Sequence, residues 1–167
     1  MENVSPVRLN LGCGAKVWPG FINVDLASNF YQSTPDVVSD LRKLPFPDDY
    51  ADEAHAIHVV EHFYLWDVEP MLREWKRVLK PGGLLAIEVP CLDKVLVQFQ
   101  KPNPPLRKTW LALYGEIDSR DPNMVHKWCY SASQLENALK HVGFKDVVVK
   151  EPLFHQADRD MRVEGTK

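Results

Sequence analysis

Residues 8–25 read R8-L-N-L-G-C-G-A-K-V-W-P-G-F-I-N-V-D25. Val7–Leu11 alternates apolar and polar residues and stops at glycine, as a short strand does. Gly12 and Gly14 lack Cβ, so the backbone there can turn tightly and let a ligand approach closely. F21-I-N-V24 is a second short strand, and Asp25 stands at its tip, where a carboxylate can accept the hydroxyls of a ribose. Between the two strands, A15-K-V-W-P-G20 contains a proline and ends in glycine. It is too short for the helix of about 10 residues that normally follows a dinucleotide-binding glycine turn and holds the pyrophosphate at its N-terminus. S-adenosylmethionine carries no phosphate and does not need that helix. The missing helix therefore argues against a nicotinamide dinucleotide and leaves S-adenosylmethionine open.

Outward from this stretch the pattern alternates. Asp36–Ser39 is a third strand, and the prolines of D40-L-R-K-L-P-F-P47 forbid a regular element. A54-H-A-I-H-V-V60 is a fourth strand. Asp67 is placed to cap a helix whose first turn tolerates Pro70, with Met71, Leu72, Trp75, Val78 and Leu79 on one stripe. K80-P-G-G83 ends that helix, and L84-L-A-I-E-V89 is apolar enough for a central parallel strand. Residues 90–130 are irregular, with a proline break at K101-P-N-P-P105 and a short helix or strand at Thr109–Tyr114. Ser131 and Gln134 have capping-box spacing ahead of a helix with Leu135, Ala138, Leu139 and Val142 on one face, ended by Gly143. Lys145–Lys150 and Met161–Glu164 are the last two strands.

The whole reads as an α/β fold with a mostly parallel seven-stranded sheet and a shortened first crossover. Residues 1–167 are expected to form a single domain, with an insertion at about 90–130 on the acceptor side. Ligands of such sheets bind beyond the carboxyl ends of the strands. There the sequence places Gly12–Gly14, Asp25, Asp40, Glu61–His62 and Pro90–Asp93.

Composition narrows the class. The chain is 45% hydrophobic and 26% charged, with a net charge of −3, and these values suit a soluble globular protein. The basic residues Arg73, Lys76, Arg77 and Lys80 alternate with apolar ones, as on a solvated helix face, so no nucleic-acid partner is expected. Cys13, Cys91 and Cys129 form no C-x-x-C pair, which fits reduced thiols in the cytoplasm, and no metal site is expected. The first residues lack the features of a signal peptide, and no stretch is apolar enough to span a membrane. The oligomeric state is not legible.

L9-N-L-G-C-G14, P19-G-F-I-N-V-D25, D40-L-R-K-L-P-F-P47, H58-V-V-E-H-F63 and R77-V-L-K-P-G-G83 occur in this order. As an ordered set over roughly residues 7–150, they resemble the class I S-adenosylmethionine-dependent methyltransferases, in particular the small methyltransferase-11-like branch with a Rossmann-like fold. The resemblance implies that the cofactor is S-adenosyl-L-methionine. It implies a cofactor site of Asn10, Leu11, Gly12, Cys13, Gly14, Asp25, Leu26, Asp40, Leu41, His58 and Val59. Gly12–Gly14 would follow the methionine part, Asp25 the ribose, and Asp40 the adenine amino group, with the Leu41 amide near the ring. The branch usually has a third glycine where this chain has Lys16, so the loop runs differently beyond Gly14.

Glu61 and His62 follow the fourth strand, where such enzymes place groups facing the methyl. Methyl transfer needs positioning foremost, and a base only for a hydroxyl or protonated amine. His62 with Glu61, and His126 in M124-V-H-K-W-C-Y130, are the catalytic candidates; capping of the helix or bracing of the loop is the competing role for Glu61 and His62. Trp128 and Tyr130 are able to stack on a sugar or planar ring, or to pack beneath the following helix. The expected activity is methyl transfer to an oxygen or nitrogen acceptor, a sugar or glycan or a small metabolite. A non-catalytic S-adenosylmethionine-binding or scaffold protein of the same fold is the alternative.

Overall fold

The structure is a computed structural model and describes residues 5–26 and 34–167. Among these residues seven strands form one sheet: β1 (Arg8–Leu11), β2 (Ile22–Asp25), β3 (Val37–Val38), β4 (Ala51–Ile57), β5 (Leu79–Pro90), β6 (Lys145–Lys150) and β7 (Asp160–Thr166). Their order is β3-β2-β1-β4-β5-β7-β6. Strands β1 to β5 pair in parallel, and β7 runs antiparallel between β5 and β6. The order reverses between β1 and β4, which opens a crevice beyond their carboxyl ends.

Among the described residues, four α-helices accompany the sheet: α1 (Leu65–Val78), α2 (Leu92–Phe99), α3 (Leu106–Tyr114) and α4 (Ala132–His141). No helix stands between β1 and β2, as the sequence led us to expect. Buried Asn23 does the bracing instead. Its Oδ1 accepts from Asn10 Nδ2 at 2.9 Å and from the Trp18 amide at 2.8 Å, and its Nδ2 donates to the Trp18 and Phe21 carbonyls and to Asp36. One amide side chain thus supplies the loop's polar groups with partners that a helix would have found within itself.

Helix α1 buries Val68, Met71, Leu72, Trp75 and Val78 against the sheet, the expected stripe except that Leu79 opens β5 and Val68 joins it. Its start differs from expectation. Tyr64, not Asp67, is the N-cap residue, because the Tyr64 carbonyl accepts from the Asp67 amide at 2.8 Å and closes the first turn there. Asp67 is an acidic residue of that first turn, where it complements the helix dipole. Pro70 consequently lies inside the helix.

The segment Lys80–Gly83 also differs. Leu79 already pairs with Ala51, so the turn is an irregularity within β5, and pairing resumes at Glu53 with Leu84. Thr109–Tyr114 belongs to α3, and Leu92–Phe99 forms a helix where no regular element was foreseen. Ser131 caps α4 with the full capping box to Gln134. No helix among the described residues is long and apolar enough to cross a membrane.

Candidate active site

Three strand ends converge on a cleft of about 450 Å³, within the size range of small-molecule sites. The first wall is the turn after β1. Gly12 has φ of +68°, and a Cβ there would stand 2.5 Å from Val59 Cγ2, so both the left-handed backbone and the close approach exclude a side chain. The Gly12 amide donates to the Val24 carbonyl at 2.8 Å, and the Gly14 amide donates to Asp25 Oδ2 at 2.6 Å. The carboxylate at the tip of β2 is thereby fixed to the glycine turn. The Cys13 thiol lies beside it, and burial together with the Asp25 charge pushes its pKa up to about 11.

The second wall is Asp40–Arg42. A loop carrying Pro45 and Pro47 cannot hold itself by regular hydrogen bonds, and α1 clamps it. Trp75 Nε1 donates to the Leu41 carbonyl at 2.9 Å, Glu74 accepts from the Leu44 amide, and Arg77 donates to the Leu44 and Phe46 carbonyls. Arg42 closes on Asp40 through its guanidinium and its amide, and the guanidinium bonds lower the carboxyl pKa.

The third wall follows β4. His58 is left-handed (φ +56°), a strained conformation for a residue with a side chain. Its amide donates to the Glu88 carbonyl, its Nδ1 lies 2.9 Å from Glu61 Oε1, and its Nε2 lies 3.7 Å from buried Asp160. Burial alone favours the neutral ring, but the Glu61 and Asp160 carboxylates outweigh it and raise the His58 pKa. Glu61 is 1% exposed. Burial favours its acid form, and the His58 charge with its contact to the carboxylate overturns this and holds the pKa low.

His62 and His126 meet edge to face, with ring centroids 4.7 Å apart. Gly115 makes this meeting possible. It ends α3 at φ +72°, ψ −160°, and a Cβ there would lie 2.2 Å from the Met124 carbonyl and 2.8 Å from His126 Cδ2. Only glycine lets residues 124–126 press against the helix end, and His126 Nδ1 then reaches the Ala112 carbonyl at 2.9 Å.

Of the expected cofactor residues, Asn10, Gly12, Cys13, Gly14, Asp25, Leu26, Asp40, Leu41, His58 and Val59 all line the cleft. Leu11 is fully buried in the core, so only its backbone can face a ligand. Asn10 also braces the loop, donating to the Lys16 carbonyl and to Asn23. His62 lines the cleft, while Glu61 and His126 stand behind it. The Glu61 carbonyl also accepts from the Lys127 and Trp128 amides, so this segment does brace a loop. Tyr130 is 2% exposed and packed in the core, which removes it from any acceptor surface, whereas Trp128 stays partly exposed. The sequence reading did not single out Arg42, Tyr64, Asp121, Asn123 or Lys127, which also line the cleft. Gly115 was missed too, although a glycine directly after a helical stretch is a C-terminal signal.

Residues 9–87 match the methyltransferase-11 family, whose description is a methyltransferase domain. No curated protein matches the chain. Among solved structures it is similar to an S-adenosylmethionine-dependent methyltransferase from Mesorhizobium loti at 17% identity and TM-score 0.67, covering 98% of this chain and 91% of that one. A methyltransferase from Archaeoglobus fulgidus matches at 17% identity and TM-score 0.65, with 98% and 87% covered. Human N-acetylserotonin methyltransferase, solved with S-adenosylmethionine, matches at 17% identity and TM-score 0.63, and 97% of this chain spans 47% of its length. At such identities these structures show the fold. The matched family segment runs through the glycine turn, Asp25, Asp40 and the end of β4, and with the shared fold it supports a class I S-adenosylmethionine-dependent methyltransferase of the methyltransferase-11 type.

Proposed function

We propose that this chain, acting as a single domain, transfers a methyl group from S-adenosylmethionine to the oxygen or nitrogen of a sugar, glycan or small metabolite. The observation that carries the reading is the turn at Gly12–Gly14, pressed on Val59 and tied to Asp25 without any phosphate-binding helix. Gly12–Gly14 would hold the methionine part, Asp25 the ribose and Asp40–Leu41 the adenine. When bound, the cofactor supplies an electrophilic methyl on a sulfonium. His62 faces the cleft with Glu61 and His126 behind it, and these three are the candidates for handling the acceptor. Residues 121–127, within the expected acceptor-side insertion, add Asp121, Asn123, Met124 and Lys127 to the cleft wall, which favours a polar acceptor.

Calorimetry with S-adenosylmethionine and S-adenosylhomocysteine tests the cofactor half. Asp25→Ala should weaken binding by about 1–3 kcal/mol, the scale of hydrogen bonds to a charged acceptor. Absence of binding by the native chain at millimolar ligand overturns the reading. Binding without methyl release across sugar, amine and hydroxyl acceptors favours the non-catalytic alternative.

A further inference from the structure

Glu61 presents a problem that the cofactor site does not solve. Its carboxylate is buried, Oε1 has the His58 ring 2.9 Å away as its ion-pair partner, and Oε2 accepts no hydrogen bond among the described residues. Burying a carboxylate without partners is costly, and such groups are usually paired or bound to a metal.

Two imidazoles stand next to it. Ligand atoms of Glu61, His62 and His126 all lie within 4.8 Å of one another. Each ring is anchored from behind through Nδ1, that of His62 to the Val125 carbonyl at 3.3 Å and that of His126 to the Ala112 carbonyl at 2.9 Å. Nδ1–H bonded to a carbonyl leaves Nε2 with its lone pair outward, which is how metal-binding histidines are usually held. The half-satisfied carboxylate and the two back-anchored rings are independent features, and both suit the same ligand.

We infer that Glu61, His62 and His126 form a binding site for a first-row divalent cation such as Zn²⁺, Mn²⁺ or Fe²⁺, ligated by one Glu61 oxygen and the two Nε2 atoms. Two imidazoles and one carboxylate suit these ions and leave coordination positions open. Bonds of about 2.0–2.2 Å require the ligand atoms to draw in to edges of about 3.3 Å, a small rotation of the two half-buried rings and a short carboxylate shift. His62 lines the cleft, so the open positions face it. Resting on the transferase reading, the cation's fourth ligand is a hydroxyl oxygen of the acceptor, whose proton it makes easier to release to water. In that state His62 is a ligand and not a base. The inference departs from the expectation of no metal, which rested on cysteine spacing and did not consider histidine with glutamate.

The test uses the full chain stripped of metal by a chelator and then titrated with Co²⁺, followed by its visible absorption, and with Zn²⁺, followed by calorimetry. One saturable site is expected, weakened at least tenfold in His62→Ala and in His126→Ala. Zn²⁺ should also shift the Nε2 resonances of His62 and His126 in the unmutated protein, a readout that does not depend on a variant folding. No saturable binding up to millimolar ion, unmoved imidazole resonances, or undiminished affinity in both variants overturns the site. Titration of the same stripped protein with S-adenosylmethionine separates the two readings. Cofactor binding without metal binding removes this inference alone, and metal binding without cofactor binding removes the transferase reading alone.

Discussion

Asn10 Nδ2 donates to Asn23 Oδ1 at 2.9 Å, across two residues in direct register on the parallel strands β1 and β2. This buried amide pair lies beneath the glycine turn and ties it to the next strand. Asn23→Ala strips partners from the Trp18 amide and the Trp18 and Phe21 carbonyls. The expected loss is about 1–3 kcal/mol, as for buried polar groups left unsatisfied. Chemical denaturation measures it, and calorimetry should show S-adenosylmethionine affinity falling as well. Asn23→Asp is not a conservative replacement, since it would set a second carboxylate where Asn23 Nδ2 now donates to Asp36 Oδ2 at 2.8 Å. It should be at least as damaging as alanine, and an aspartate variant of native stability would show that the hub does not hold the loop.

The Asn10–Asn23 pair marks a boundary of what the sequence reveals. All seven strands and the α1 and α4 stripes were legible, because burial of one face imposes periods of two and of 3.6 on local sequence. So was the absent crossover helix, since Pro19 and Gly20 forbid it. The polar hub was not legible. Asn23 reads as an alternating strand residue, and its partners are fixed only when β1 and β2 align. The start of α1 was misplaced for a related reason, as Asp67 has good capping chemistry but the Tyr64 carbonyl closed the turn first. Glycine, aspartate and histidine positions at strand ends were legible by type. The Glu61–His62–His126 grouping was not, because it depends on Gly115 bringing a segment sixty residues away against α3.

Thiol chemistry checks the electrostatics of the turn. Burial and Asp25 push the Cys13 pKa up to about 11, and burial with Glu61 pushes that of Cys129 up to about 12. The thiolate is the reactive form, so alkylation of Cys13 at pH 8 should run a few hundred-fold slower than at an ordinary thiol of pKa about 8.5. Mass spectrometry after iodoacetamide should find the native chain almost unlabelled and the denatured chain labelled at Cys13, Cys91 and Cys129. Asp25→Asn removes the raising charge and should speed labelling of Cys13 severalfold. Equal rates in both proteins would contradict the proposed coupling.

A buried carboxylate on β5 sets an acid limit. Glu88 accepts from the Leu153 and Phe154 amides and from Arg162 at 3.0 Å, with His155 at 3.9 Å. Burial raises its pKa, but these partners prevail and bring it from 4.5 down to about 2. A depressed carboxyl contributes stability above its unfolded pKa and loses it as pH falls toward the folded value. The contribution is on the order of 3 kcal/mol at neutral pH and should disappear between about pH 4.5 and 2. Glu88→Gln should lower stability at pH 7 and converge with the native protein across that window. Denaturation at several pH values measures the convergence, and a constant difference down to pH 2 would refute it.

Two glycines allow the halves of the cleft to be separated. Gly12 sits against Val59, and Gly115 against Met124 and His126. Gly12→Ala must tolerate a left-handed backbone, at about 1–2 kcal/mol, and a contact with Val59 that costs about 1–3 kcal/mol unless Val59 moves. It should weaken S-adenosylmethionine binding, and adding Val59→Ala should restore part of it by relieving the contact while leaving the backbone strain. Gly115→Ala meets backbone it cannot displace without moving His126. Its expected signature is the reverse, with cofactor affinity kept while methyl release to any acceptor falls by tenfold or more. Calorimetry and a methyl-release assay on both variants check the separation. If Gly115→Ala instead lost cofactor binding while Gly12→Ala kept it, the assignment of the two walls would be inverted.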